Sequence, residues 1–201
     1  RRLGHACFYF AGECDRPADV CYVVPEAHFE HPEIMALNLD LFDDSRRTAS
    51  ASHQVQVLKD LLKDHLTRFI RQFGINLLSV ENALALPMNV PLGLAITELI
   101  AETGLPAIAH HPDFAWERER FALNAASDYL HAAFPPTLPS IHHVVINSFA
   151  GRQLAMRNGV SSVLIPNVMD FDHSPAPADD HTRLFRAAMG VQPDEKLLLQ
   201  P

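Results

Sequence analysis

Long apolar runs are absent from this 201-residue sequence. None approaches the ~18 residues that suggest a membrane-spanning helix, and no signal-peptide pattern opens the chain. Positive charge is scarce: 16 Lys and Arg stand against 24 Asp and Glu, a formal net charge of −8. That balance argues against a broad electrostatic footprint on nucleic acid or an anionic membrane, while leaving room for a local phosphate pocket. Cysteine is sparse too. Cys7, Cys14 and Cys21 are odd in number, seven residues apart and without a CxxC pair. A disulfide scaffold is therefore not expected, and the thiols read as free ones in a reducing cytosol. No GxGxxG occurs, which ranks a dinucleotide-binding oxidoreductase low, and no HExxH or Cys/His spacing turns the 12 histidines into a metal site. The chain lacks an initial Met and stops at Gln200-Pro201 just after an apolar run. Both ends read as cut from a longer protein.

What is present is a globular pattern, with 48% hydrophobic residues. Ala6–Ala11 reads as a buried strand, preceded by Arg1–Leu3 as a last helical turn stopped by Gly4. A short apolar piece covers Val20–Val24, and Ile34–Phe42 is ambiguous, with room for one edge strand. From Ser50 to Phe73 the spacing of Leu58, Leu61, Leu62, Leu66, Phe69, Ile70 and Phe73 is helical, and Gly74 stops it. A second helix is expected over Val90–Thr103, with Pro91 in its first turn and Gly104 at its end. Strands are expected at Ile75–Val80, Leu105–Ala109, Val144–Asn147 and Ser162–Ile165, with helices at Trp116–Asn124 and Ala150–Arg157. An Asp-, Pro- and Ala-rich linker spans Asp170–Asp180, before a helix at Thr182–Met189 and a strand from Lys196. Short all-apolar strands alternating with helices define an α/β class, with a doubly wound, mainly parallel Rossmann-like sheet covered on both faces. Residues 1–170 read as one domain, and 171–201 as a linker and the start of a second.

Ligands of such sheets bind beyond the carboxyl ends of the strands. Those exits carry Glu81-Asn82, then His110-His111-Pro112-Asp113 in a loop, Asn147-Ser148, and Asn167. This distribution suggests a polar ligand such as a sugar or other polyol. Helix capping and turn formation account equally for Asn147, Ser148 and Asn167. Trp116, the only tryptophan, suits either a sugar face or a core anchor, and Glu117-Arg118-Glu119-Arg120 reads as a solvated helix face. Neighbouring residues of a strand point to opposite faces, so the adjacent histidine pairs His110-His111 and His142-His143 are not expected to share one metal.

Three segments carry a resemblance: Asn76–Gly93 (NLLSVENALALPMNVPLG), His110–Phe121 (HHPDFAWERERF) and Asn147–Asp170, which ends in a Pro-Asn-x-x-Asp turn. Together they resemble the amino-terminal domain of family 4 (group 1) retaining glycosyltransferases. The resemblance implies a GT-B arrangement of two Rossmann-like domains, the first mainly binding the acceptor and the second the nucleotide-sugar. It also implies that the family's first strand, its glycine-rich loop and its Glu-x7-Glu donor motif lie outside these residues, leaving this piece inactive alone. Asp113 matches the family's loop directly, and Phe114, Trp116, Glu117 and Arg118 match a subgroup with a Trp-Glu-Arg tail. The family's histidine before this Asp is replaced by Pro112, leaving His110 and His111 as its candidates. The implied catalytic set is therefore Asp113, His111 and His110. Substrate binding falls to Glu81, Asn82, Trp116, Glu117, Arg118, Asn147, Ser148 and Asn167. The implied partners are a nucleotide-diphosphate sugar as donor and a sugar, polyol or lipid-linked acceptor, with no separate cofactor, metal or nucleic acid; self-association is left open. Two other readings stay open at this stage: a non-catalytic polyol- or sugar-binding module, and a GT-B epimerase or nucleotide-sugar hydrolase.

Overall fold

Helical spacing of apolar residues organises the fold around two adjacent helices that share one apolar core with the sheet. The computed structural model describes residues 4–42, 44–168, 179–192, 194–196 and 198. Helix α2 (Ala49–Phe73) buries Val55, Leu58, Leu62, Leu66 and Phe69 along one stripe. Thr48 caps its start by accepting a hydrogen bond from the Ala51 amide, and Gly74 ends it at φ 61°. Helix α3 (Val90–Thr103) begins at Asn89, whose side chain accepts from the Leu92 amide, and buries Ala95, Ile96, Leu99 and Ile100. Lys63 bridges the two helices, 2.5 Å from Glu98 and 2.6 Å from Glu102, and Lys59 also donates to Glu98. Those ammonium groups hold the Glu98 carboxyl below its ordinary range.

These two helices pack on a parallel four-stranded sheet: β3 (Leu78–Glu81), β4 (Ala107–His111), β5 (Ile141–Val145) and β6 (Ser162–Leu164), in that spatial order. Helix α3 makes the crossover from β3 to β4, and α5 (Ser148–Asn158) the one from β5 to β6. The chain is thus an α/β protein with a Rossmann-like parallel sheet flanked by helices. A separate parallel pair, β1 (Tyr9–Ala11) and β2 (Cys21–Val23), stands apart from this sheet. An apolar groove of about 1280 Å³, lined by Phe8, Phe10, Val80, Leu92 and Ile96, opens along β1 and β3.

Several expectations are corrected. Pro32–Phe42 is a helix, α1, and not an edge strand. Its buried Ile34, Leu37 and Leu41 recur at three and four residues, a helical period, while Met35 and Leu39 face solvent. The helix expected at Trp116–Asn124 is instead two 3₁₀ turns, Ala115–Glu117 and Glu119–Phe121, separated by Arg118 in extended backbone. His110 and His111 are the last two residues of β4, not loop residues. Cys14 and Cys21 are joined in a disulfide where free thiols were expected, because the β1–β2 connection folds back and brings their Cα atoms to 6.7 Å. Cys7 is free.

Arg47 fastens a further helix, α4 (Ser127–Ala133), with two hydrogen bonds to Asp128 at 2.7 and 2.8 Å and its guanidinium 4.1 Å from the Tyr129 ring centre. The chain forms two units, residues 1–166 and 167–201. The second contains α6 (Asp180–Ala188), after which Arg186 donates to the carbonyls of Gln192 and Glu195, each at 2.8 Å. The turn expected at Arg1–Leu3 and most of the Asp170–Asp180 linker fall outside the described residues, as does part of the strand expected from Lys196.

Gly93 faces the Phe134 ring, and a Cβ there would collide with it. Glycine to alanine ordinarily stabilises a helix interior. Gly93→Ala is expected to do the reverse and destabilise by about 1–3 kcal/mol, seen as a lower urea midpoint at unchanged slope. An unaltered or higher midpoint would show that the ring yields.

Candidate active site at the carboxyl edge of the parallel sheet

Parallel pairing places Glu81, the last residue of β3, opposite His110 of β4. Glu81 Oε2 lies 2.7 Å from His110 Nδ1, and Oε1 accepts a 3.1 Å hydrogen bond from the Ser79 hydroxyl. Glu81 is open to solvent, whereas His110 is about three-quarters covered, its side chain 26% exposed. The next residue, Asn82, turns the chain at φ 64° and donates its amide to the His110 carbonyl at 3.0 Å. Its side-chain Oδ1 is buried with no partner among the described residues. An orphaned acceptor at a strand exit is a group that a ligand hydroxyl would satisfy.

His111 points the other way. It is fully buried, and its Nε2 sits 2.8 Å from Nδ1 of His143, itself buried at 3% exposure. Phe114 packs beside it, with ring centres 5.1 Å apart. Burial, reinforced by His143 and His110, pushes the His111 pKa down to about 3, and burial lowers that of His143. The pair is therefore a neutral core contact.

Beyond β4 the loop is held largely by its own side chains. Arg118 grips Asp113 through both Nε, at 2.6 Å, and Nη2. Glu117 accepts from the Phe114 amide at 2.9 Å. Trp116 stacks on Phe114, with ring centres 4.3 Å apart and planes at 12°, and Arg157 lies 5.0 Å from the indole. Of the two roles weighed for Trp116, this packing is the anchoring one. Asn147 caps α5 by accepting from the Ala150 amide at 2.8 Å, and Ser148 is the exposed first residue of that helix. Asn167 is exposed in the second unit.

The strand edge thus pairs Glu81 with His110, sets Asn82 beside them in sequence and register, and fixes Asp113 by Arg118 just past β4. It does not bring His111 out to a ligand; Glu117 and Asn147 are exposed, each holding a backbone amide. Ser79, His143 and Arg157 were not singled out from the sequence. Strand alternation, which puts residues 79 and 81 on one face, would have pointed to Ser79. Among the described residues no group of three or more His, Cys, Asp or Glu is gathered as metal ligands, and no helix is long and apolar enough to cross a membrane.

The fold defines a Rossmann-like α/β domain with a polar edge at the carboxyl ends of β3 and β4. Over 203 residues, 99% of the chain, it is 29% identical to the mannosylglucosylglycerate synthase of Thermotoga maritima, covering 46% of that protein. It is also 29% identical to the mannosylglucosylglycerate synthase of Petrotoga mobilis, over 82% of the chain and 37% of that protein. The chain therefore spans less than half the length of these curated relatives. No family model matches it, and no solved structure does either.

The two buried histidines carry a pH signature. Each is neutral when folded, but in the unfolded chain takes up a proton near the ordinary pKa of about 6.5. Their contribution to stability is whole above that pH and is lost as pH falls through the lowered folded pKa values, that of His111 being about 3. The urea midpoint should drop between pH 7 and 5, and a His111→Leu/His143→Leu double variant should show a shallower drop. Equal slopes would show that the pair is not what titrates.

Proposed function

We propose that the full-length protein is a glycosyltransferase, moving a sugar from a nucleotide-diphosphate sugar to an acceptor hydroxyl with retention of anomeric configuration. This chain supplies chiefly the acceptor side. The observation that carries the reading is the similarity of 99% of the chain to a synthase whose name specifies a glycerate bearing glucose and mannose. The strand-edge geometry fits that chemistry, because such an acceptor is a small polyol rich in hydroxyls. The resemblance to family 4 retaining enzymes points the same way.

Transfer passes through an oxocarbenium-like transition state, so the acceptor oxygen must be oriented and its proton accepted as the new bond forms. His110 Nε2 has no hydrogen-bond partner among the described residues, and the side chain is partly exposed, so it can meet that hydroxyl. Asp113 is held in one orientation by Arg118, and Asn82 Oδ1 offers an acceptor to a second hydroxyl. His111 takes no part, since it is enclosed against His143. Charge on the departing diphosphate is met by groups of the donor-binding domain.

The test is an assay of the full-length protein with labelled nucleotide-sugars and small glycerate-based or glycosidic acceptors, with the anomeric configuration of the product read by NMR. A retained linkage is expected, and Asp113→Asn should lower kcat/KM by about a hundredfold or more. Transfer undiminished by that substitution would remove Asp113 from the site, and an inverted product would overturn the retaining reading.

A further inference from the structure

We propose that Glu81 is not a substrate ligand but a positioning residue for His110, forming with Ser79 a three-member relay that selects which imidazole nitrogen meets the acceptor. The inference rests on the proposed transfer for its consequence, and on β3–β4 geometry for its arrangement. Glu81 and His110 are direct partners in the parallel ladder, so the backbone sets their side chains against each other before any substrate arrives. Asn82 strengthens this by donating its amide to the His110 carbonyl. Both carboxylate oxygens have assigned tasks: Oε1 is taken by the Ser79 hydroxyl and Oε2 by His110 Nδ1 at 2.7 Å. A carboxylate can only accept, so Nδ1 carries the proton and Nε2 presents its lone pair. Among the described residues Nε2 has no hydrogen-bond partner, and the His110 side chain is 26% exposed. A base whose other nitrogen is fixed by a carboxylate is the arrangement in which proton acceptance is directed at one atom. Because Glu81 is 67% exposed, the pair's value lies in direction and tautomer, not in Coulombic energy.

Both kinetics and spectroscopy on the full-length protein test this. His110→Ala is expected to lower kcat by about a hundredfold or more. Glu81→Gln should lower kcat about tenfold with the acceptor KM within about twofold, the pattern of an interaction realised in the transition state. In the double variant Glu81→Gln should cost nothing further, since its partner is gone. In ¹⁵N-histidine NMR the unaltered protein should show His110 protonated at Nδ1, and Glu81→Gln should give a mixture of tautomers. A rise in acceptor KM at unchanged kcat, or losses that multiply in the double variant, would overturn the inference and make Glu81 a direct ligand. No transfer by the unaltered protein would overturn the proposed function, while the nitrogen spectra would still sustain or overturn the Glu81–His110 arrangement.

Discussion

The register of β3 against β4 is the constraint on which the site depends. Parallel pairing puts Glu81 opposite His110, and strand alternation then sends His111 to the other face. One residue step therefore separates two chemical fates. His110 remains in reach of solvent beside a carboxylate, while His111 is enclosed against His143 and Phe114 and kept neutral by burial. A slip of β3 by one residue would turn Glu81 away from His110 and into the core. The packing of Leu78 and Val80 against the α2 and α3 stripes opposes such a slip, because it would turn both apolar side chains outward.

The loop after β4 shows how a polar segment can be mostly self-contained. Arg118 serves Asp113, Glu117 serves the Phe114 amide, and Trp116 lies between Phe114 and Arg157. These contacts use up side chains that by type alone suit sugar recognition. What they leave to a ligand is a small set: the free nitrogen of His110, the orphaned oxygen of Asn82, the unpartnered Nε1 of Trp116, and Asp113 in a fixed orientation. Under the proposed function that set suits an acceptor hydroxyl, and the guanidinium of Arg118 is already paired with Asp113.

Much of this was legible in the residues. The α2 stripe, the Val90–Thr103 span of α3 with Pro91 in its first turn and Gly104 at its end, and the parallel α/β class follow from spacing and stop signals whose physics is local. The opposed faces of His110 and His111 follow from strand alternation as well. Other features were hidden because they depend on contacts distant in sequence. Glu81 and His110 are 29 residues apart, and His111 and His143 are 32 apart, so neither pair shows in a linear pattern. Arg118 illustrates a different failure. Its place in an alternating charged run reads as a solvated helix, yet pairing with Asp113 and extended backbone at Arg118 break that helix into two turns. The misreading of Ile34–Phe42 had a remedy in the sequence, since its buried positions already carried a helical period.

The account stands on the claim that a polyol acceptor meets the protein at the carboxyl edge of β3 and β4. Mapping amide chemical-shift changes on the full-length protein, titrated with a glucosylated glycerate, tests it most directly. The account predicts that the largest changes fall on residues 79–83 and 108–114, with the core around His143 little affected. Shifts clustered elsewhere, with residues 81, 82, 110 and 113 unmoved at saturation, would contradict it.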